Sequence, residues 1–105
     1  MDIKAFKMDG LGNDFVIIDR RNDEINLSKE QIIKIGDRNN IGFDQIIFIE
    51  KEVRGVFPIK IYNPDGIEVG ACGNGSRCVA HLISKEKNKK NITLEADKKI
   101  LEAEI

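Results

Sequence analysis

The chain has 105 residues, enough for one domain with one modest core. Its 41% apolar and 33% charged residues exclude a disordered polymer, and a formal net charge of −1 offers no basic surface to nucleic acid or an anionic membrane. The longest apolar runs are too short to span a bilayer, and Met1-Asp2-Ile3-Lys4 does not begin a leader peptide, so the expected location is cytoplasmic.

Ile3 to Met8 reads as a first strand, with Ile3, Ala5 and Lys7 alternating against Lys4 and Phe6. Asp9-Gly10-Leu11-Gly12-Asn13-Asp14 is turn chemistry, and Phe15-Val16-Ile17-Ile18 is a β-branched second strand, so the pair predicts a hairpin with a wide loop. After a polar stretch from Arg20 to Asn26, Ser28 and Gln31 form a capping box with Leu27 and Ile32 as its hydrophobic staple. The helix that follows should turn Ile32, Ile33 and Ile35 to the core and weaken at Gly36. Arg38-Asn39-Asn40-Ile41-Gly42 reads as a loop.

Gln45 to Glu50 predicts a third strand and Val56 to Tyr62 a fourth, with Pro58 pointing to an edge position or a bulge. Asn63-Pro64-Asp65-Gly66 is a strong turn signal, and Ile67 to Ala71 should be extended. A helix from just after Cys72 to about Lys87 carries Val79, Leu82 and Ile83 on one face. Ile92, Leu94 and Ala96 alternate as a strand, Asp97-Lys98-Lys99 turns, and Leu101, Ala103 and Ile105 alternate again with no closing polar segment, so the strand reads as unfinished. Order and composition predict an α+β domain with a mainly antiparallel or mixed sheet wrapped around one central helix.

The chemistry concentrates in Cys72-Gly73-Asn74-Gly75-Ser76-Arg77-Cys78. Glycines let a ligand approach the backbone, and a helix start offers unpaired N–H groups and partial positive charge to a carboxylate or phosphate. A cysteine held there gains thiolate character. The plainer alternative is a tight turn beside a small buried cysteine. Cys72 and Cys78 would stand about 240° apart on a helix turning ~100° per residue, which argues against a disulfide. One histidine, His81, and no C-x-x-C pair argue against a metal site. Cys78 reads as a core residue and His81 as surface; Arg77 would pair with a ligand or brace the motif.

Three blocks in this order carry a resemblance: Lys7-Met8-Asp9-Gly10-Leu11-Gly12-Asn13-Asp14-Phe15-Val16; Gly42-Phe43-Asp44-Gln45; and Asn63-Pro64-Asp65-Gly66-Ile67-Glu68-Val69 running into the Cys72 motif. Together they resemble the first half of the diaminopimelate epimerase family. That resemblance implies a cofactor-independent isomerase of two pseudo-symmetric halves, each with strands around a central helix and each supplying one catalytic cysteine. One thiolate would take the α-proton of LL-diaminopimelate and the opposite thiol would reprotonate the other face, giving the meso isomer for lysine and peptidoglycan synthesis. By the same resemblance Cys72 is the first-half catalytic cysteine, Gly73 and Asn74 hold the reacting carboxylate, and Asn13, Gln45 and Asn63 bind the substrate. The implied partner is a small diamino dicarboxylic acid, with neither nucleic acid nor membrane.

Residues 1–105 would then form a single, incomplete N-terminal domain, inactive alone, that self-associates or pairs with a C-terminal half lying outside this sequence. Two local departures from the family pattern are Asp9, where the usual residue is not acidic, and the stretch 38–42, one residue short and lacking a glycine. A proline-racemase-type epimerase half, which also uses C-G-x-G after a strand, and a non-catalytic remnant that binds a ligand or a partner chain are the alternatives.

Overall fold

Large side chains at every position of 15–18 and 46–49 can all be buried only if both faces of those strands are covered. The computed structural model, which describes residues 5–10, 12–22, 25–37, 39, 42–70 and 73–105, covers them in that way. The elements run β1 (Ala5–Gly10), β2 (Asn13–Asp19), α1 (Lys29–Gly36), β3 (Gln45–Ile49), β4 (Val56–Tyr62), β5 (Glu68–Val69), α2 (Gly73–Lys87), β6 (Asn91–Ala96) and β7 (Lys99–Glu104). The strand expected at Ile3 and Lys4, the loop at Arg38, Asn40 and Ile41, and the positions of Leu11, Ala71 and Cys72 lie outside the described residues.

Among the described residues the strands form one mixed sheet in the order β1-β2-β3-β4-β6-β7, with β5 paired to β4. β2 runs parallel to β3 and β4 parallel to β6, while the other pairs are antiparallel. Each parallel pair needs a crossover, and the two crossovers carry the two helices. Side chains alternate across the pleat, so Val16, Ile18, Ile46 and Phe48 meet Ile25, Ile32 and Phe43 on the α1 side. Phe15, Ile17, Ile47, Ile49, Phe57, Ile59 and Ile61 meet Val79, Ala80 and Ile83 of α2 on the other. The expected α+β class and central helix are both present. No helix among the described residues is long and apolar enough to cross a membrane.

Ser28 accepts from the Gln31 N–H at 3.1 Å, and the Gln31 side chain accepts from the Ser28 N–H at 2.7 Å, completing the expected capping box. In the Asn63–Gly66 turn the Gly66 N–H reaches the Asn63 carbonyl at 2.9 Å, with Gly66 at φ +81. That left-handed angle suits glycine.

Four expectations are corrected. The first hairpin is tight rather than wide, because Asp9 pairs with Asp14 and Gly10 with Asn13, leaving two residues between the strands. Its first strand has the opposite phase: Met8 packs on the α2 core, while Ala5 and Lys7 are exposed. Ile33 is 43% exposed because α1 covers the sheet with a narrow face centred on Ile32. Pro58 sits inside the sheet, between β3 and β6. Its carbonyl accepts from the Glu50 N–H at 2.8 Å, so its missing N–H also faces β3, at the point where that strand ends and needs no donor.

Candidate active site

Period two along each strand places Asn13 on the face that carries Phe15 and Ile17, and Gln45 on the face that carries Ile47 and Ile49. Asn63 follows β4 by one residue and continues the phase of Phe57, Ile59 and Ile61. All three amides therefore belong to the α2 side of the sheet. They also share one end of it. β2 and β3 are parallel and begin there, whereas β4 is antiparallel to β3 and finishes there. Gln45 Nε2 donates to Asn63 Oδ1 at 3.4 Å. Asn13 is half-buried at the start of β2, paired with Gly10.

Helix α2 starts at this same end, and Gly75 sets how closely it can lie. A Cβ on Gly75 would stand 2.6 Å from Ile47 Cδ1 and 3.2 Å from Phe15 Cε1. Those two side chains are the inward neighbours of Gln45 and Asn13 on their strands. The missing side chain thus seats the first turn of α2 against the strand residues that follow Asn13 and Gln45 on the same face. Gly73 differs, since a Cβ there would meet no described atom within 4 Å. The backbone at Gly73 is open to an approaching ligand, while the backbone at Gly75 is packed.

The electrostatics of the two helix starts also differ. α1 is capped by Ser28 and carries Glu30 in its first turn. α2 has no acidic residue in its first turn, so its own side chains leave the positive end of its dipole uncompensated. Gly73 and Asn74 occupy that end, and an anion is the ligand it favours.

An open groove of about 710 Å³ runs along α2 between the edge strands β1 and β7. Gly73, Asn74, Ser76, Arg77 and His81 line one wall, and Met8, Asp9, Leu101 and Glu102 are among the residues opposite. Asn13, Gln45 and Asn63 are not part of its lining. The predicted contacts therefore divide into an amide cluster at the sheet end and a groove leading from the helix start. Arg77 is exposed on the groove wall and makes no ion pair among the described residues. His81 is exposed and Cys78 is 8% exposed within the core, both as expected. Cys72 lies outside the described residues.

Two residues that the sequence reading did not single out tie the strand starts together. Asp14 and Asp44 each accept a hydrogen bond from the other's backbone N–H, at 3.0 and 2.8 Å. The Asp44 N–H also reaches the Asp14 carbonyl at 2.9 Å, and Lys7 Nζ lies 3.6 Å from Asp14 Oδ2. The available signal was the mirrored order Asn13-Asp14 and Asp44-Gln45, an acid beside an amide at each strand start. Ser76 carries a buried hydroxyl with no hydrogen-bond partner among the described residues.

The family model described as diaminopimelate epimerase matches residues 5–105. Similar proteins include a diaminopimelate epimerase of Pelagibacter ubique (strain HTCC1062), 63% identical over 94 residues that cover 90% of this chain and 34% of that one. A diaminopimelate epimerase of Legionella pneumophila (strain Corby) is 52% identical over 83 residues, covering 76% and 30%. One from Acidiphilium cryptum (strain JF-5) is 42% identical over 100 residues, covering 94% and 36%. The chain spans about a third of the length of the curated relatives it matches. Among solved structures, a phenazine biosynthesis protein of the PhzF family from Enterococcus faecalis superposes with a TM-score of 0.77 at 15% identity, covering 100% of this chain and 41% of that one. A PhzF-family protein from Bacillus anthracis gives 0.62 at 23% identity, covering 98% and 34%. At those identities the likeness is one of fold.

Proposed function

The chain belongs to the diaminopimelate epimerase family, and from that premise we propose that it supplies the first half of a cofactor-independent amino-acid epimerase. In this reading residues 1–105 are its N-terminal domain. Cys72 is the base on one face of LL-diaminopimelate, and its thiolate removes the α-proton. Removal builds negative charge on the adjoining carboxylate, and the N–H groups of Gly73 and Asn74 stabilise that charge as it develops. Asn13, Gln45 and Asn63 hold polar ends of the substrate without adding charge. A cysteine serves because one residue can act as base when ionised and as acid when protonated.

The observation that carries this reading is the seating of the α2 start, through Gly75, against the two side chains that adjoin Asn13 and Gln45. A carboxylate at Gly73 and Asn74 would then lie at the end of the sheet that carries the neutral amides. Inversion needs a second acid on the opposite face, and Cys78 does not supply it, being buried in the core cluster. The chain alone is therefore a one-sided site. Its edge strands β1 and β7, with exposed Ile100 and Ile105, favour association with a second copy or with the complementary half.

The test is to incubate the purified chain with LL-diaminopimelate in deuterated water and follow α-deuterium and meso product together. Cys72→Ser is the control. Deuterium uptake with retained configuration, lost in the variant, is the expected signature of a single base. Meso product from the native chain would refute the one-sided site, and uptake that persists in the variant would remove Cys72 from the role.

A further inference from the structure

β2 and β3 run parallel, so no tight turn sets the spacing of their first residues; the chain between them crosses by way of α1. Those first residues include Asn13 and Gln45, two of the three amides proposed to hold the substrate. The contacts that fix the two strand starts therefore also fix where these amides stand.

Those contacts come from Asp14 and Asp44. The Asp14 N–H donates to Asp44 Oδ2 at 2.8 Å. The Asp44 N–H lies 3.0 Å from Asp14 Oδ1 and 2.9 Å from the Asp14 carbonyl oxygen, and both accept from it. The bonds span the gap just ahead of Phe15 and Gln45, the first registered pair of the two strands. Each of the two main-chain to carboxylate bonds is charge-assisted, hence stronger than a neutral one. Period two places Asp14 on the face of Val16 and Ile18, opposite the face of Asn13. Neither aspartate is among the residues lining the groove along α2. The pair can thus hold the amides without touching what they bind.

We propose that Asp14 and Asp44 are positioning residues for the ligand site, which set the separation of Asn13 and Gln45 through the main chain. This rests on the substrate role proposed for those amides above and adds the device that holds them. Its mark is a loss of affinity in protein that is still folded, because shifted strand starts present the amides at the wrong spacing. An acceptor that only stabilises the fold would leave the affinity of the folded chain unchanged.

The experiment titrates the ¹⁵N-labelled chain with LL-diaminopimelate and follows the side-chain amide resonances of Asn13 and Gln45, at a temperature where the variants compared are folded. Asp44→Ala should bind about three- to tenfold more weakly, the scale of one impaired hydrogen bond. Asp44→Glu keeps the charge and the acceptor but lengthens the side chain, and should weaken binding similarly. It carries the comparison if the alanine chain does not fold. Asp44→Asn keeps both the length and an acceptor oxygen and should recover most of the affinity. Ser28→Ala removes the N-cap of α1, on the other side of the sheet from the amides; it should lower stability and leave affinity unchanged. Native affinity in the alanine and glutamate variants would overturn the positioning role and leave the amide assignment standing. An equal loss of affinity in Ser28→Ala would reduce the effect to stability and overturn it too. No shift of the Asn13 and Gln45 resonances in the native chain would overturn the amide assignment itself, and this inference with it.

Discussion

Asp14 and Asp44 hold each other's main chains: the Asp14 N–H donates to Asp44 Oδ2 at 2.8 Å, and the Asp44 N–H donates to Asp14 Oδ1 at 3.0 Å. The reciprocal pair ties the start of β2 to the start of β3, and each aspartate adjoins one amide of the cluster, Asn13 or Gln45. Asp44→Ala removes one of the two acceptors and leaves the Asp14 N–H to find another. The expected cost is about 1–2 kcal/mol, the scale of a lost cap or charge-assisted hydrogen bond. Asp44→Asn keeps a side-chain carbonyl oxygen and should recover at least half. Urea denaturation measures both, and an alanine variant as stable as the native chain would show that the pair is incidental.

Gly75 is the second point of leverage. Gly75→Ala raises helix propensity by up to about 1 kcal/mol, but its Cβ meets Ile47 Cδ1 at 2.6 Å in a fully buried layer. Overpacking of this kind costs about 1–3 kcal/mol, so net destabilisation is expected. Ile47→Val deletes the offending methyl. The double variant should be more stable than the sum of the two single changes implies. Additive effects in a double-mutant cycle would mean that α2 relieves the clash by moving as a body.

The paired starts were legible wherever the signal was local. Ser28 and Gln31 lie within one helical turn, and Asn63 to Gly66 within one turn of chain, so composition alone reads them. Asp14 and Asp44 stand 30 residues apart, and nothing in either segment alone reports that they meet. The covered faces follow the same logic. Unbroken apolar runs indicate burial, but which helix covers which face depends on the parallel pairing of β2 with β3, a non-local choice. Ile33 was misread for that reason, since the helical period fixes a stripe but not the width of the surface it meets. Pro58 was misread because its tolerance depends on where a neighbouring strand stops.

Asp19 and Arg21 form a nearly dry ion pair, with side chains 4% and 9% exposed and Arg21 Nη2 2.7 Å from Asp19 Oδ2. The hydrogen bond to Asp19 holds the guanidinium in its charged form well above the ordinary arginine range; burial opposes this, and Glu86 reinforces it. A raised pKa on a base gives stability that is fully present below its unfolded value and lost only above it. Arg21 should therefore impose no pH dependence between about pH 5 and 9. Arg21→Ala takes the guanidinium away from the buried Asp19 carboxylate, and a loss of up to about 3–5 kcal/mol is expected. Glu86→Ala removes a partner that is 51% exposed and should cost under about 1 kcal/mol. Chemical denaturation compares the two, and similar losses would contradict the burial argument.

Cys72 should alkylate faster than Cys78 at neutral pH. Cys78 is 8% exposed in the α2 core cluster, where burial protects the thiol. Cys72 directly precedes a helix whose first turn has no acidic side chain. Labelling each position against pH by peptide mass spectrometry gives both rates and the apparent thiol pKa. Faster modification of Cys78 would reverse the assignment of the reactive thiol.

The two parallel pairings have a kinetic consequence. The β1–β2 and β6–β7 hairpins close within short stretches of chain, whereas β2–β3 and β4–β6 join only after α1 and α2 have been carried across the sheet. Pairings between distant segments are slow because loop-closure entropy must be met before their contacts form. Asn13 and Gln45 sit on the two strands of one such pairing, and the α2 start rests on both. The proposed ligand site is therefore assembled by the late steps of folding, so a chain halted after forming its hairpins would show part of its secondary structure and lack that site.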